Sequence, residues 1–334
     1  MSVNVKLLAL LAAAVFFGAP AVAGQEAADV AIGAPARKAI DAGLAFLAKT
    51  QQAGGAWPSG DFGQPTAVAS LAGLAFMSDG SVPGRGKYAA NVSRSLDYVL
   101  GSSQPTGLLE YGTPHTAMYS HGFSTLFLAE AWGMTGDTAV RDRLKAAVDL
   151  IVKTQNREGG WRYQPKVADA DISVTVCQIV ALRAAANAGL SVPRETVDSA
   201  LSYLGKCARP DGGFSYQAGG GESAFPRTAG ALLCMALAGP SDSPSAANTV
   251  RYLTSRIDYD GRYYFYGQYY GAQGIHLAAP SEWPKWYGTI CAQLAARQSS
   301  DGSWSAPGED KYQCTSMAVL ILTIPNGYLP LYQR

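Results

Sequence analysis

The chain has 334 residues, 48% of them hydrophobic, with 26 Lys and Arg against 25 Asp and Glu and a net charge of +1. This is enough apolar material for one large core or two ordinary ones. A balance this even, with no long run of like charge, argues against nucleic acid as a partner. Five cysteines (Cys177, Cys207, Cys234, Cys291 and Cys314) are odd in number and contain no Cys-x-x-Cys, so no disulfide framework is expected. Cys177, Cys234 and Cys314 sit in apolar stretches and read as buried free thiols.

At the N-terminus Lys6 precedes the apolar run LLALLAAAVFFGA, and small residues at Ala21 and Ala23 precede Gly24. That order matches a cleavable export signal over residues 1–23, and the run is shorter than the ~20 residues of a spanning helix. Residues 24–36 then read as a short tether, and residues 37–334 as a single domain. The expected location is periplasmic or extracellular, with no membrane span left after cleavage.

From there two kinds of helix alternate. Ile40, Leu44 and Leu47 are spaced 0, 4, 7, and so are Val92, Leu96 and Val99; Leu144, Val148 and Ile151; and Val197, Leu201 and Leu204. Lys, Asp, Arg and Ser lie between them, so each helix has one wet face. Pro193 and Pro244 mark two of the helix starts. The intervening stretches TAVASLAGLAFM, HGFSTLFLAEAWG, SVTVCQIVALRAAANAG, RTAGALLCMALAG and CTSMAVLILTI are apolar all round, as helices buried on every side must be. The tyrosine-rich run Tyr263–Tyr270 takes the same slot in its unit. Between an outer and an inner helix recurs a Gly-aromatic phrase, at Trp57, Tyr111, Trp161, Phe214, Tyr264 and Trp304, mostly about fifty residues apart. Six units of two helices predict an all-α architecture in two layers, either a closed ring or an open solenoid.

TQNREGGW, with Gln155 and Trp161, and RQSSDGSW, with Gln298 and Trp304, resemble the QW-type repeat of squalene and oxidosqualene cyclases; Gln51 with Trp57 is close. The β subunits of protein prenyltransferases share the six-hairpin toroid that this resemblance implies. In the cyclases the Gln stacks on the Trp and ties helix ends together. YSHGFSTLFLAEAWG, DISVTVCQIVALRAAANAGLSVP, YYFYGQYYGAQG and TSMAVLILTIPNGYLPLYQR are similar to a group of single-toroid proteins with prenyltransferase/squalene-oxidase repeats, abundant in planctomycetes. The resemblance spans about residues 37 to 334. It implies an α/α toroid (an α6-α6 barrel) and does not specify a reaction.

The prenyltransferases hold zinc with an Asp, a Cys two residues later, and a His. In the corresponding stretches Asp260 is kept, but Arg262 and Gln313 stand where the Cys and His belong. Zinc prenyl transfer is therefore not expected, and no metal or other cofactor is called for. The cyclases protonate an alkene with an Asp-x-Asp-Asp-Thr acid. Here DADIS places Asp169 and Asp171 at the first two aspartates, with Asp171 at the donor position; Ile172 and Ser173 replace the rest. The same Asp171 also reads as a helix cap. Aromatic groups that line such a cavity would include Tyr119, Phe123, Tyr266 and Tyr270.

In a closed ring the starts of the inner helices converge on one face. Near them lie His115, His121, Asp169, Asp171, Glu222, Arg227, Arg262, Asp310 and Gln313. They make a polar mouth above an apolar wall, suited to a carboxylate or phosphate head with an apolar tail. The partner expected is an elongated apolar or isoprenoid-like small molecule, or a peptide. Two other readings stand beside this one. One is an active proton-initiated cyclase with Asp171 as acid. The other is a secreted carbohydrate-active enzyme pairing Glu222 with Asp169 or Asp171. The sequon at Asn91 bears on the surface only in a host that glycosylates.

Overall fold

The computed structural model describes residues 30–59, 65–111, 114–239 and 244–333; the expected export signal and residues 24–29 of the expected tether lie outside them. Twelve α-helices occur among the described residues: α1 Ala34–Thr50, α2 Thr66–Ser78, α3 Ala89–Gly101, α4 Ala117–Thr135, α5 Thr138–Thr154, α6 Ile172–Asn187, α7 Arg194–Cys207, α8 Phe225–Ala238, α9 Pro244–Thr254, α10 Tyr264–Ala278, α11 Trp283–Arg297 and α12 Lys311–Leu322. Isolated bridges occur among them, but no strand. None of these helices is long and apolar enough to cross a membrane.

The even-numbered helices form the inner layer. All of α2 is buried, and so are 11 of the 15 residues of α10 and 9 of the 12 of α12. Each packs on the next, α2 on α4, α4 on α6, α6 on α8, α8 on α10 and α10 on α12, and α12 returns to α2. That last contact closes the ring and excludes the open solenoid. The odd-numbered helices form the outer layer, each laid against the inner helix before it, with α1 on α12 completing the circuit. Their spacing of apolar residues supplies the buried face: Ile40, Leu44 and Leu47, and Leu144 and Ile151, are all 0% exposed.

The fourth unit departs from this pattern. Val197 and Leu201 are only half-buried in α7, whose inward stripe is Thr196, Ala200, Tyr203, Leu204 and Cys207. Within that stripe the Tyr203 hydroxyl donates to the Ala170 carbonyl at 2.8 Å.

The Gly-aromatic phrase is a lock between neighbouring units. Gly55, Gly107, Gly159, Gly212 and Gly302 all have φ between 85° and 99°. Added Cβ atoms would sit 2.0–2.6 Å from the carbonyl oxygens of Arg94, Ala146, Ser199, Asn248 and Ala42, all on the next outer helix. Only glycine accepts both the dihedral and the approach. Gln155 Nε2 donates to Gly159 O and to Thr196 O on α7; Gln298 Nε2 donates to Gly302 O and to Ala39 O on α1; Gln51 Nε2 donates to Gly55 O and to Asn91 O on α3. Each Gln thus ties helix ends through hydrogen bonds to backbone carbonyls. Trp57, Trp161 and Trp304 donate Nε1–H to the carbonyl ten residues earlier and are at most 1% exposed.

Two expectations shift here. In the second unit the residue two after the locking glycine is Leu109, fully buried, while Tyr111 is 40% exposed. In the fifth unit Tyr264 is the first residue of α10, and the tie is made by Gln293 of α11, which accepts the Tyr264 hydroxyl and donates to Ile257 O. All five cysteines are unpaired, and all but Cys291 are buried. Asn91 is buried, with Nδ2 donating to Gln51 Oε1 at 2.8 Å, so its sequon is unavailable to a glycan.

Candidate functional site

All six inner helices begin at one end of the ring, around a cavity of about 650 Å³. Its wall includes Ala67, Val68, Tyr119, Phe123, Tyr163, Tyr216, Tyr259 and Tyr266. Its rim includes the residues that precede α2, α4, α8, α10 and α12, namely Pro65, Thr116, Ala224, Tyr263 and Asp310. The first four make no side-chain cap, so positive dipole ends lie at the opening, although the Met118 N–H of α4 is taken by Tyr163 O and that of Tyr263 by Glu309. Arg227, Arg262, Glu309 and Gln313 complete the rim.

Of the residues expected at the site, Tyr119, Tyr266, Arg227, Arg262, Asp310 and Gln313 line this cavity. Arg227 is held by the carbonyls of Phe214 and Glu222. The Arg262 guanidinium lies 4.7 Å from the Tyr263 ring centre. Burial drives the hydroxyl pKa values of Tyr119 and Tyr266 well above the ordinary tyrosine range, so both stay neutral donors. Tyr266 donates to Ser173 O at 3.3 Å.

The remaining expected residues lie elsewhere. Tyr270 is fully buried and does not line the cavity; its ring lies 4.8 Å from that of Tyr266 in an edge-to-face pair. His115 is exposed in the 3-10 turn before α4. Glu222 is exposed and offers only its carbonyl, to Arg227; with its carboxylate outside the cavity, no opposed pair with Asp169 or Asp171 is assembled. Asp169 is a surface partner of Arg162. His121 is buried in α4: Nδ1 accepts the Leu109 N–H and Nε2 meets Ala147 O at 3.1 Å. It fills the place that Thr175, Thr228 and Thr315 fill in their own units, where a hydroxyl accepts the N–H of Trp161, Phe214 or Trp304.

Asp171 is 0% exposed and does not line the cavity. Its Oδ1 caps α6, accepting from the N–H groups of Ser173 and Val174 at 2.9 and 3.0 Å. Burial pushes its carboxyl up to about 6, against the pull of those N–H groups, Arg162 and Tyr216. Its Oδ2 has no hydrogen-bond partner and lies 3.7 Å from Arg162 Nε. Tyr216, whose hydroxyl helps to hold the Asp171 carboxyl down, is joined hydroxyl to hydroxyl to Tyr163, and both tyrosines line the cavity that Asp171 does not reach.

The structure adds residues that the pattern did not point to. Glu309 is raised by burial and held down in part by the Tyr263 N–H and by Arg262. Tyr263 has φ 63°, the one positive value outside glycine among the described residues, and is 46% exposed at the rim. Strain of this kind costs about 1–3 kcal/mol and concentrates at ligand sites. Tyr259 stacks on Phe225 at 4.6 Å. A second depression of about 430 Å³ lies between the third and fourth turns. Its Asn156 and Gln217 amides are spent on the carbonyls of Ala168 and Ala170, so it serves the turn itself.

Two concentric rings of helices around an aromatic cavity define an α/α toroid. A model of the prenyltransferase alpha-alpha toroid domain matches residues 42–274, and the chain belongs to that family. Solved structures share the fold at low identity. A glycosidase in complex with glucose is 16% identical with a TM-score of 0.63, covering 89% of this chain and 98% of its own. The type II terpene cyclase MstE from Scytonema is 15% identical with a TM-score of 0.60, covering 88% and 99%. An inactive variant of an α-1,6-mannanase from Salegentibacter, bound to α-1,6-mannotriose, is 8% identical with a TM-score of 0.64, covering 86% and 98%. No curated protein sequence matches the chain.

Proposed function

We propose that this is an exported binding protein whose ring holds one elongated apolar molecule, isoprenoid-like in shape, with an anionic head at the mouth. One observation carries this reading: four helix starts without side-chain caps and two arginines, beside the carboxyls of Glu309 and Asp310, surround the opening of a cavity with a largely aromatic wall. The wall removes an apolar chain from water at roughly 25 cal/mol per Å². The rim supplies N–H donors and cations to a carboxylate or phosphate. The terpene cyclase of the same fold has been solved with geranylgeranyl dihydroxybenzoate as its substrate, a prenyl chain on an oxygenated ring.

Binding is tested by titrating delipidated protein with farnesyl phosphate, farnesol and inorganic phosphate. The phosphate ester should bind saturably, farnesol about tenfold more weakly, and inorganic phosphate far more weakly than either. No saturable binding of either farnesyl compound would remove this function.

A second reading, proton-initiated cyclisation, is favoured by the raised carboxyl of Asp171 with its unpaired Oδ2. It requires Tyr163 and Tyr216 to part. Incubation of wild type and Asp171→Asn with polyprenyl substrates decides it: a cyclised product from the wild type alone supports it, and none from either rejects it.

A further inference from the structure

The inner helices start at the cavity, so their C-terminal ends gather at the opposite end of the ring, where the chain leaves α12. Thr323 Oγ1 donates to Ser78 Oγ at 2.7 Å, and Asn326 Nδ2 donates to Ser78 O at 2.9 Å, anchoring the departure beside the end of α2. Gly327 turns the backbone with φ 62°. The chain then runs as Tyr328–Gln333, and its 3-10 turn Pro330–Tyr332 packs against α6. In a ring of six, α6 stands opposite α12. Helices packed 8–10 Å apart in a ring of six put about 16–20 Å between opposite axes, and the chain crosses from the end of α12 through Ile324–Asn326, Gly327 and Leu329 to the turn on α6. The segment therefore straps the full diameter of the base.

Leu329 and Leu331 are 2% and 3% exposed, so the strap is inserted and not merely laid across. A polar hold inside the ring is Glu130 of α4, whose carboxyl accepts the Leu331 N–H. Glu130 is 3% exposed, with Oε2 unpaired. Tyr269 of α10 is the titratable neighbour that senses it. A buried carboxyl weakens a core unless it serves a partner. Here it serves a backbone N–H that would otherwise be buried without an acceptor.

We propose that the C-terminal strap is a removable plug, latched by Glu130, that closes the base of the ring and leaves the mouth as the working opening. Its release uncovers a second, apolar opening under Leu329 and Leu331, at the base of the ring. This inference concerns the base and holds whatever ligand the mouth takes.

Three variants of the full chain test it: Glu130→Leu, Glu130→Gln, and a chain ending at Gly327. Carboxypeptidase digestion followed by mass spectrometry reads strap release, and titration with the neutral probe N-phenyl-1-naphthylamine reads apolar openings. Loss of the latch should speed digestion of the Glu130→Leu strap about tenfold, a local opening easier by one hydrogen bond. Glu130→Gln, which keeps an acceptor oxygen, should digest like wild type. The shortened chain should take up one more equivalent of probe than the full chain. A Glu130→Leu strap as resistant as wild type, or a folded shortened chain with no added probe site, would overturn the proposal. Should the shortened chain lose its helical circular dichroism, the digestion rates of the two point variants decide alone.

Discussion

The side-chain amide of Gln298 donates to the Ala39 carbonyl at 2.9 Å across 259 positions of sequence, so the turn of the sixth hairpin is fastened to the outer helix of the first. Gly302 stands in the same joint, where an added Cβ would lie 2.5 Å from Ala42 O. These two contacts make the closure of the outer ring as local and as stereospecific as each of its internal joints.

Closure is therefore sensitive to single changes at that joint. Gln298→Ala leaves the Ala39 and Gly302 carbonyls without their amide donor and should lower stability by about 1–3 kcal/mol. Gly302→Ala adds a clash to an unfavourable dihedral and should cost at least as much. Urea unfolding followed by circular dichroism measures both. Changes within ±0.5 kcal/mol, the range of ordinary surface substitutions, would mean that the joint is not needed.

The indole locks should respond alike. Trp161→Ala removes a fully buried ring and its hydrogen bond to Ile151 O, with an expected loss of about 3–5 kcal/mol. A matching loss for Trp304→Ala would show that the units are energetically equivalent. A large difference between the two in the same urea series would show that they are not.

Glu130 imposes a pH dependence on stability. Burial pushes its carboxyl from 4.5 up to about 8, against the pull of the Leu331 N–H. Between those values the folded chain keeps a proton that the unfolded chain has released. Its contribution is therefore full below about pH 4.5 and declines as pH rises through about 8. Thermal melts of wild type should show this decline relative to Glu130→Gln. Parallel curves for the two proteins would contradict the assignment.

His121 acts in the opposite sense. Burial lowers its pKa from 6.5 to about 4, with the Ala147 carbonyl opposing. The neutral ring therefore contributes stability above pH 6.5 that is lost as pH falls towards 4. His121→Asn, which keeps an acceptor for the Leu109 N–H, should melt lower than wild type at neutral pH and lose less between pH 6.5 and 4. An acid-side decline of the same size in both would place the titration elsewhere.

Much of the ring was readable before its geometry because the joints repeat in residue type as well as in position. A glycine with positive φ two places before a buried indole leaves a visible mark, as at Gly159 and Trp161. Where the buried residue is Leu109, the mark vanishes, and a neighbouring aromatic, Tyr111, attracts the assignment. The same loss of signal made His121 look like a site residue. Its role is that of Thr175, and nothing in its type says that an imidazole replaces a hydroxyl there.

Inside the ring, sequence spacing places a side chain on a face but does not give its depth. Tyr266 and Tyr270 lie one turn apart on α10, yet Tyr266 lines the cavity and Tyr270 is fully buried behind it. Asp171 matched a catalytic position and caps a helix behind two tyrosines. Glu309 was passed over beside Asp310 because only the phase of the loop before α12 decides which carboxyl caps the helix and which meets the Tyr263 N–H.

The central claim is that an apolar chain occupies the ring below the mouth. Calorimetric titration of farnesyl phosphate into wild type and Ala67→Phe, whose added ring would fill the cavity wall at α2, tests it most directly. The account predicts one site in the wild type with a negative heat-capacity change, the mark of apolar burial, and loss of that site in a variant that melts like wild type. Equal binding by both proteins, or binding with no heat-capacity change, would contradict it.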